Sequence, residues 1–319
     1  MTCRICGNQK NNTEYEAQEM MFGIRERFTY FQCAACQCLQ IAEFPPNIID
    51  YYPPNYHSFE SPESLTKYYS SFGWKVKKTR YKAALYTQSA FDKLIASAFP
   101  LPSQYDLLRG LHISPSTRLL DVGCGTGYYI YPLYELGMQQ ILGIDPFIKA
   151  PIKYPNGLQI DKKYIFNVTG LWDIIIYNHS FEHLPDPLEN LQAVSQLLTK
   201  GGYCVLRIPT VSSYAWEHYR TNWYQLDAPR HFFLHSLKSI QLLAEKAAME
   251  LTDVIYDSGA MQFLGSEKYI RNIASVTKEP RTLSSWLQKK WKKRKYNNMA
   301  RQLNHERRGD QAAFILKKN

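Results

Sequence analysis

The run Leu119-Leu120-Asp121-Val122-Gly123-Cys124-Gly125-Thr126-Gly127 constrains this 319-residue chain more than any other stretch. An apolar strand leads straight into three alternating glycines, and Tyr128 to Leu136 then follow helical spacing. A strand feeding a helix through such a turn belongs to a parallel α/β sheet. The turn lets backbone approach a ligand and aims helix N-terminal N–H groups at it. Spacing limits which ligand. A dinucleotide fingerprint needs glycine three places after Gly125, where Tyr128 stands, and a P-loop needs Gly-Lys-Ser/Thr, which is absent. What remains is Asp-x-Gly-x-Gly-x-Gly, followed 18 residues after Gly127 by Asp145. Asp145 ends a second predicted strand, where a carboxylate can accept both hydroxyls of a ribose.

From Thr117 onward, short apolar runs alternate with helical patterns. Strands are predicted at 118–122, 140–145, 172–178, 203–208, 252–257 and 312–317, with a weaker one near 158–160. Asp186-Pro187-Leu188-Glu189 predicts a helix start with proline at the first helical position, and Gly201-Gly202 predicts its left-handed end. These elements predict a doubly wound α/β sheet over residues 116–319. Residues 41–115 read as a linker and helical segment. It opens on Pro-rich sequence from Phe44 to Pro54, continues as helix from Ser64 to Arg109, and is broken at Pro100 and Pro102.

The glycine turn, Asp145 and the segment Asn178-His179-Ser180-Phe181-Glu182-His183-Leu184-Pro185-Asp186-Pro187 together resemble class I S-adenosylmethionine-dependent methyltransferases, over roughly residues 105–319. The resemblance implies a seven-stranded Rossmann-like sheet. It implies that Asp121 and the turn (Gly123, Cys124, Gly125, Gly127) hold the amino-acid end of S-adenosylmethionine, that Asp145 holds the ribose, and that Phe147 lies against adenine. Pro146, Asn178 and His179 fall on the same cofactor side. Where the family carries a helix between its second and third strands, only Phe147 to Asn156 intervenes, with Pro151 and Pro155 inside it. Asp161 is the one acid near the third strand that could sit beside adenine.

Five of the seven cysteines lie in the first 38 residues. Cys3-x2-Cys6 and Cys33-x2-Cys36 are two knuckles matching a structural tetrahedral zinc site, with Cys38 a spare or a replacement for Cys36. Residues 1–40 have too few apolar residues to fold without such a staple, so zinc would supply folding free energy. Four filled positions leave none for water, which argues against a catalytic zinc there. Zinc knuckles ahead of a methyltransferase fold resemble two groups: sugar methyltransferases of bacterial polysaccharide pathways, and ribosomal-RNA guanine methyltransferases. The segment Trp223-Tyr224-Gln225-Leu226-Asp227-Ala228-Pro229-Arg230-His231 resembles the first group and predicts a nucleotide-sugar or glycan-precursor acceptor.

The net charge of +10 is local. Between Lys278 and Arg308 stand eleven Lys/Arg against two acids, which is +9, so the rest of the chain carries about +1. Ser285 to Arg308 reads as a largely helical insertion, within about 260–309, that faces a partner. Trp286, Trp291 and Tyr296 interleave with its cations, so the alternative acceptor is RNA; a peripheral membrane contact would need a wider apolar face. A non-catalytic scaffold would have no use for an intact glycine turn and Asp145. No apolar run approaches a membrane span and the N-terminus lacks a signal h-region, which predicts a soluble cytoplasmic protein.

Methyl transfer to an alcohol needs a base for the acceptor proton. Functional groups of a doubly wound sheet lie beyond the strand carboxyl ends, which offers His179, Glu182 and His183 after one strand and Asp227, Arg230 and His231 after the next. His231 is expected as base with His183 the alternative, and Arg230, beside Asp227, is expected as an anion anchor for the acceptor. The competing expectation is that Arg230 and Asp227 form an ion-paired strut.

Overall fold

The computed structural model describes residues 1–53, 62–86, 101–278 and 282–319. Pro54 and Pro100 lie outside the described residues. The chain opens with strands β1 (Thr13–Gln18), β2 (Arg27–Gln32) and β3 (Leu39–Ile41). Helices α1 (Pro62–Tyr69), α2 (Phe72–Leu85) and α3 (Ser103–Arg109) follow. Ser71 starts α2 by accepting from Trp74 N, and Pro102 is the N-cap of α3, where its missing N–H costs nothing. Within the expected helical stretch from Ser64 to Arg109, the described residues form these three short helices; residues 87–100 of it lie outside the described residues.

The main sheet is built from β4 (Leu119–Val122), helix α4 (Ile130–Glu135), β5 (Ile141–Ile144), β6 (Ile152–Lys153), β7 (Gln159–Asp161), β8 (Trp172–Asn178), α5 (Pro187–Leu197) and β9 (Leu198–Pro209). Then come α6 (Tyr214–Tyr219), β10 (Phe233–Leu234), α7 (Leu237–Lys246), β11 (Met249–Tyr256), α8 (Met261–Ile270), α9 (Leu283–His305) and β12 (Gln311–Lys318). The sheet order is β11-β12-β9-β8-β4-β5-β7-β6. Strands β7, β5, β4, β8 and β9 run parallel, and β12 enters antiparallel between β9 and β11. Counted from β4, this is 3-2-1-4-5-7-6, the doubly wound order 3-2-1-4-5-6 with a last strand slipped in before the sixth. The seven expected strands are present, and the two-residue β6 adds an antiparallel edge.

Alternation along the strands places core on both faces. Ile175 and Tyr177 point to the face covered by Leu191 and Val194 of α5 and Ile240 and Leu243 of α7. Ile174 and Ile176 point to the face covered by Leu85, Leu108 and Leu133 of α2, α3 and α4. Each fully buried Ile or Leu contributes about 1.5–3 kcal/mol relative to exposure, so the sheet is held from both sides. Helix α5 ends at Leu197, and Leu198 is already extended, paired with Trp172. Gly201, at φ +72°, therefore lies in the irregular opening of β9, where the β8–β9 register shifts, and does not cap the helix.

The N-terminal unit is joined to the rest more closely than a boundary at residue 40 suggests. Its sheet has the order β1-β2-β3-β10, so the fourth strand comes from beyond His231. Phe233 pairs with Gln40 and Leu234 with Leu39, and Cys3, Cys33 and Cys36 share one core with Leu206, Trp223 and Phe233. Among the described residues, no helix is long and apolar enough to cross a membrane.

Candidate active site

Beyond the carboxyl ends of β4, β8 and β9 lies a cleft of about 410 Å³. Its floor is Asp121, Gly123, Cys124 and Gly125; one wall carries Asn178, His179, His183 and Arg207, and the other Met21, Tyr224, Gln225, Asp227 and His231. Gly123 turns at φ +72°, and a Cβ there would stand 2.5 Å from Ser180 Cβ, so only glycine lets the turn pack against the segment after β8. A Cβ on Gly127, at φ +85°, would meet Ile160 Cδ1 at 2.6 Å, so this glycine serves turn packing and does not wall the cleft.

Asp121 is 1% exposed and neither carboxylate oxygen has a hydrogen-bond partner. Burial, then the neighbouring Asp145, raises its pKa to about 8. An orphan buried carboxylate on a cleft floor fits a cationic group of a bound cofactor, such as an amino-acid ammonium. Asp145 is turned onto the backbone: Gly125 N donates to Oδ2 at 2.9 Å and Phe147 N to Oδ1 at 2.8 Å. Each oxygen keeps a further lone pair for a ribose hydroxyl. Asp145, Pro146 and Phe147 are not among the residues that wall the cleft, and Phe147 is 63% exposed. Asp161 pairs with Lys163 at 2.8 Å, each about one-third exposed, which fits a surface turn acid.

The second polar group is made by histidines. Phe181–His183 is a 3-10 turn that buries Glu182 completely. His183 Nδ1 lies 2.8 Å from Arg230 O, and Tyr52 Oη 3.0 Å from the same nitrogen. His231 Nδ1 lies 2.7 Å from Gln225 O, which makes it the protonated nitrogen and leaves Nε2 as a lone pair. The two rings meet edge to face at 4.7 Å. Burial, then His231, pushes His183 down to about 4. Burial alone would raise Glu182, but its three neighbouring histidines outweigh it and hold the carboxyl at about 2.

Arg230 is not available to an acceptor. It is fully buried, its Nε and Nη2 donate to both oxygens of Asp227 at 3.0 and 2.6 Å, Nη2 also reaches Glu19 at 2.8 Å, and Nη1 donates to Tyr51 O at 3.1 Å. With four of its five N–H donors engaged and no water-facing surface, Arg230 is a strut, which corrects the expected anion anchor. Asp227 walls the cleft in the left-handed conformation (φ 41°), but its carboxylate is committed to Arg230, which outweighs burial and lowers its pKa.

Sequence reasoning missed several cleft residues. Arg207 donates from Nη1 to Asn178 Oδ1 and to His179 Nε2, both at 3.0 Å, and is ion-paired with Asp257 at 2.7 Å. A lone arginine inside the apolar run Tyr203–Ile208 was the available signal, since such a charge needs partners. Met21 and Tyr224 carried no local signal. Glu19 reaches Arg230 from the N-terminal unit and accepts from Phe22 N and Ile24 N, each at 2.9 Å. Tyr30 Oη donates to His231 O at 2.9 Å.

The four knuckle cysteines converge. Cys3 and Cys36 sulfurs lie 3.5 Å apart, as do those of Cys6 and Cys33, and all four lie within 4.8 Å of one another. A tetrahedron with metal–sulfur bonds of about 2.3 Å separates its sulfurs by about 3.8 Å. Gln40 Nε2 donates to Cys3 Sγ at 3.1 Å, and Cys36 N to Cys33 Sγ at 3.4 Å, so the thiolates are oriented from behind. Cys38 points away, toward Leu234 O and His235.

A family model described as a methyltransferase domain matches residues 82–254. Among curated proteins, tRNA U34 carboxymethyltransferase of Campylobacter fetus is 25% identical over 152 residues, covering 42% of this chain and 51% of that protein. The protein of the same name from Pseudomonas fluorescens is 31% identical over 101 residues, covering 28% of this chain and 31% of that one. The chain thus spans about half or less of these relatives. A putative S-adenosylmethionine-dependent methyltransferase structure from Listeria monocytogenes is 15% identical, with a TM-score of 0.41, covering 68% of this chain and 98% of that one.

Proposed function

Because the chain belongs to the methyltransferase domain family, we propose that it is an S-adenosylmethionine-dependent methyltransferase, that its cofactor is held on the floor of the Asp121–His231 cleft and that its acceptor is an RNA. The observation that carries the cofactor assignment is Asp121, a buried carboxylate with two unpartnered oxygens at the start of the glycine turn. Asp121 would take the ammonium, and Asp145 would offer its remaining lone pairs to the ribose. When bound, S-adenosylmethionine supplies a methyl group on a positively charged sulfur. His231 Nε2 holds a lone pair at the cleft wall, placed to take a proton from an acceptor.

The names of the curated relatives support an RNA acceptor, and so does α9. Thr282 and Ser285 close a capping box at its start, and the helix then presents Lys290, Lys293, Arg294 and Arg301 along one surface groove. Trp286 and Trp291 are 55% and 65% exposed, with Lys290 and Lys295 over their rings. Cations beside exposed aromatic faces suit a nucleic-acid strand. Helix α9 packs on α8, and α8 packs on the turn Tyr224–Leu226 that walls the cleft.

A second reading, a nucleotide-sugar or glycan-precursor acceptor, is favoured by the size of the cleft: about 410 Å³ lies within the small-molecule range. Cofactor consumption measured in parallel with total RNA and with a panel of nucleotide sugars separates the two. The RNA reading expects salt-dependent RNA binding, weakened at least about tenfold when the six cations from Lys289 to Lys295 become Gln, with cofactor affinity intact. RNA binding indifferent to salt and to those charges contradicts it. We also propose that Cys3, Cys6, Cys33 and Cys36 hold a structural zinc, supported by their convergence and by the N–H donors behind the sulfurs.

A further inference from the structure

We propose that Glu182, His183 and His231 form a second metal site, for a divalent transition cation, on the wall of the cleft. One ligand atom from each lies within 4.8 Å of the others. Three observations make this more than proximity.

The first is the set of lone pairs. His231 Nδ1 is satisfied by Gln225 O at 2.7 Å and His183 Nδ1 by Arg230 O at 2.8 Å, so both rings carry N–H at Nδ1 and present Nε2 unprotonated. A backbone carbonyl behind the second ring nitrogen is the arrangement that orients metal-bound histidines. The second is Glu182. It is 0% exposed, yet neither oxygen has a donor within hydrogen-bond distance. The nearest nitrogens are His179 Nδ1 at 3.6 Å and His231 Nε2 at 3.9 Å. Neither oxygen is taken up by a hydrogen bond, so both keep lone pairs that could ligate a cation lying among these three residues. The third is rigidity. Phe232 N donates to Glu182 O at 2.9 Å and Tyr30 Oη to His231 O at 2.9 Å, so the two segments supplying the ligands are tied together before any ion arrives.

Two imidazoles and one carboxylate suit Zn²⁺, Mn²⁺, Fe²⁺ or Co²⁺ better than Mg²⁺ or Ca²⁺, and three protein ligands leave coordination positions open toward the cleft. The inference rests on the proposed methyltransferase reading for what such a cation would do. His231 Nε2 would serve as ligand instead of base, and an acceptor hydroxyl on an open position would lose its proton to solvent more readily.

The test is a Mn²⁺ titration of the 319-residue chain as purified, followed by electron paramagnetic resonance, because Mn²⁺ competes poorly for thiolates. One saturable Mn²⁺ per chain is expected, weakened at least about tenfold in Glu182→Gln and in His231→Phe, with S-adenosylmethionine affinity by calorimetry unchanged in both. His183→Gln replaces either variant that fails to bind cofactor. No saturable Mn²⁺ in the wild type, or the same affinity in the variants, overturns the site. Cofactor binding without Mn²⁺ binding leaves the methyltransferase reading standing and removes this one alone; a wild type that binds Mn²⁺ but not the cofactor does the reverse.

Discussion

Arg230 Nη2 and Glu19 Oε1 meet at 2.8 Å, both side chains fully buried, and this contact ties the cysteine-rich unit to the segment that carries His231. The same guanidinium grips Asp227 and donates to Tyr51 O. Replacing Arg230 by Met strands two buried carboxylates against each other and is expected to cost about 3–5 kcal/mol. Urea denaturation measures it. Unchanged stability with weakened acceptor binding would restore the anion-anchor role.

Asp121 titrates near 8 in the cofactor-free protein because burial and Asp145 disfavour its charge. A cationic cofactor group favours the ionised form, so the bound pKa lies lower and binding releases a proton below about pH 8. Affinity for S-adenosylmethionine should therefore rise with pH up to about 8 and then level off. Calorimetry in buffers of different ionisation enthalpy counts the proton, and Asp121→Asn should abolish the release.

His231→Asn removes the free ring nitrogen from the cleft. Turnover should fall about a hundredfold while cofactor affinity stays constant. Single-turnover kinetics with an identified acceptor reads the first quantity and calorimetry the second. Full activity would leave His183, or simple proximity of cofactor and acceptor, to explain catalysis.

One zinc per chain is expected by elemental analysis of protein purified without chelator. The sequence alone suggests that stripping it unfolds only residues 1–40. The shared strand pairing of β3 with β10 and the Glu19–Arg230 contact predict a wider effect. Near-ultraviolet signals from Trp216 and Trp223 should change on chelation, while far-ultraviolet signal from the main sheet persists.

The main sheet was legible because its signals are local. Trp172–Asn178 shows its burial pattern within seven residues, and the proline after Asp186 marks a helix start whatever it packs against. Gly201-Gly202 misled because positive φ serves an irregular strand as well as a helix end. The Asp227–His231 segment was recognisable as polar and special, but which side chain faces the cleft depends on Glu19, more than two hundred residues earlier. Strand β10, two residues long, has no pattern of its own and exists only because β3 lies beside it.

Isothermal titration of S-adenosylmethionine into the wild type and into Asp145→Ala tests the cofactor site most directly. One molecule should bind per chain, and the variant should lose about 2 kcal/mol, roughly thirtyfold in affinity, as charge-assisted hydrogen bonds to the ribose disappear. No binding by the wild type would contradict the cofactor assignment as a whole, and equal affinity in the variant would contradict the placement of the ribose on Asp145.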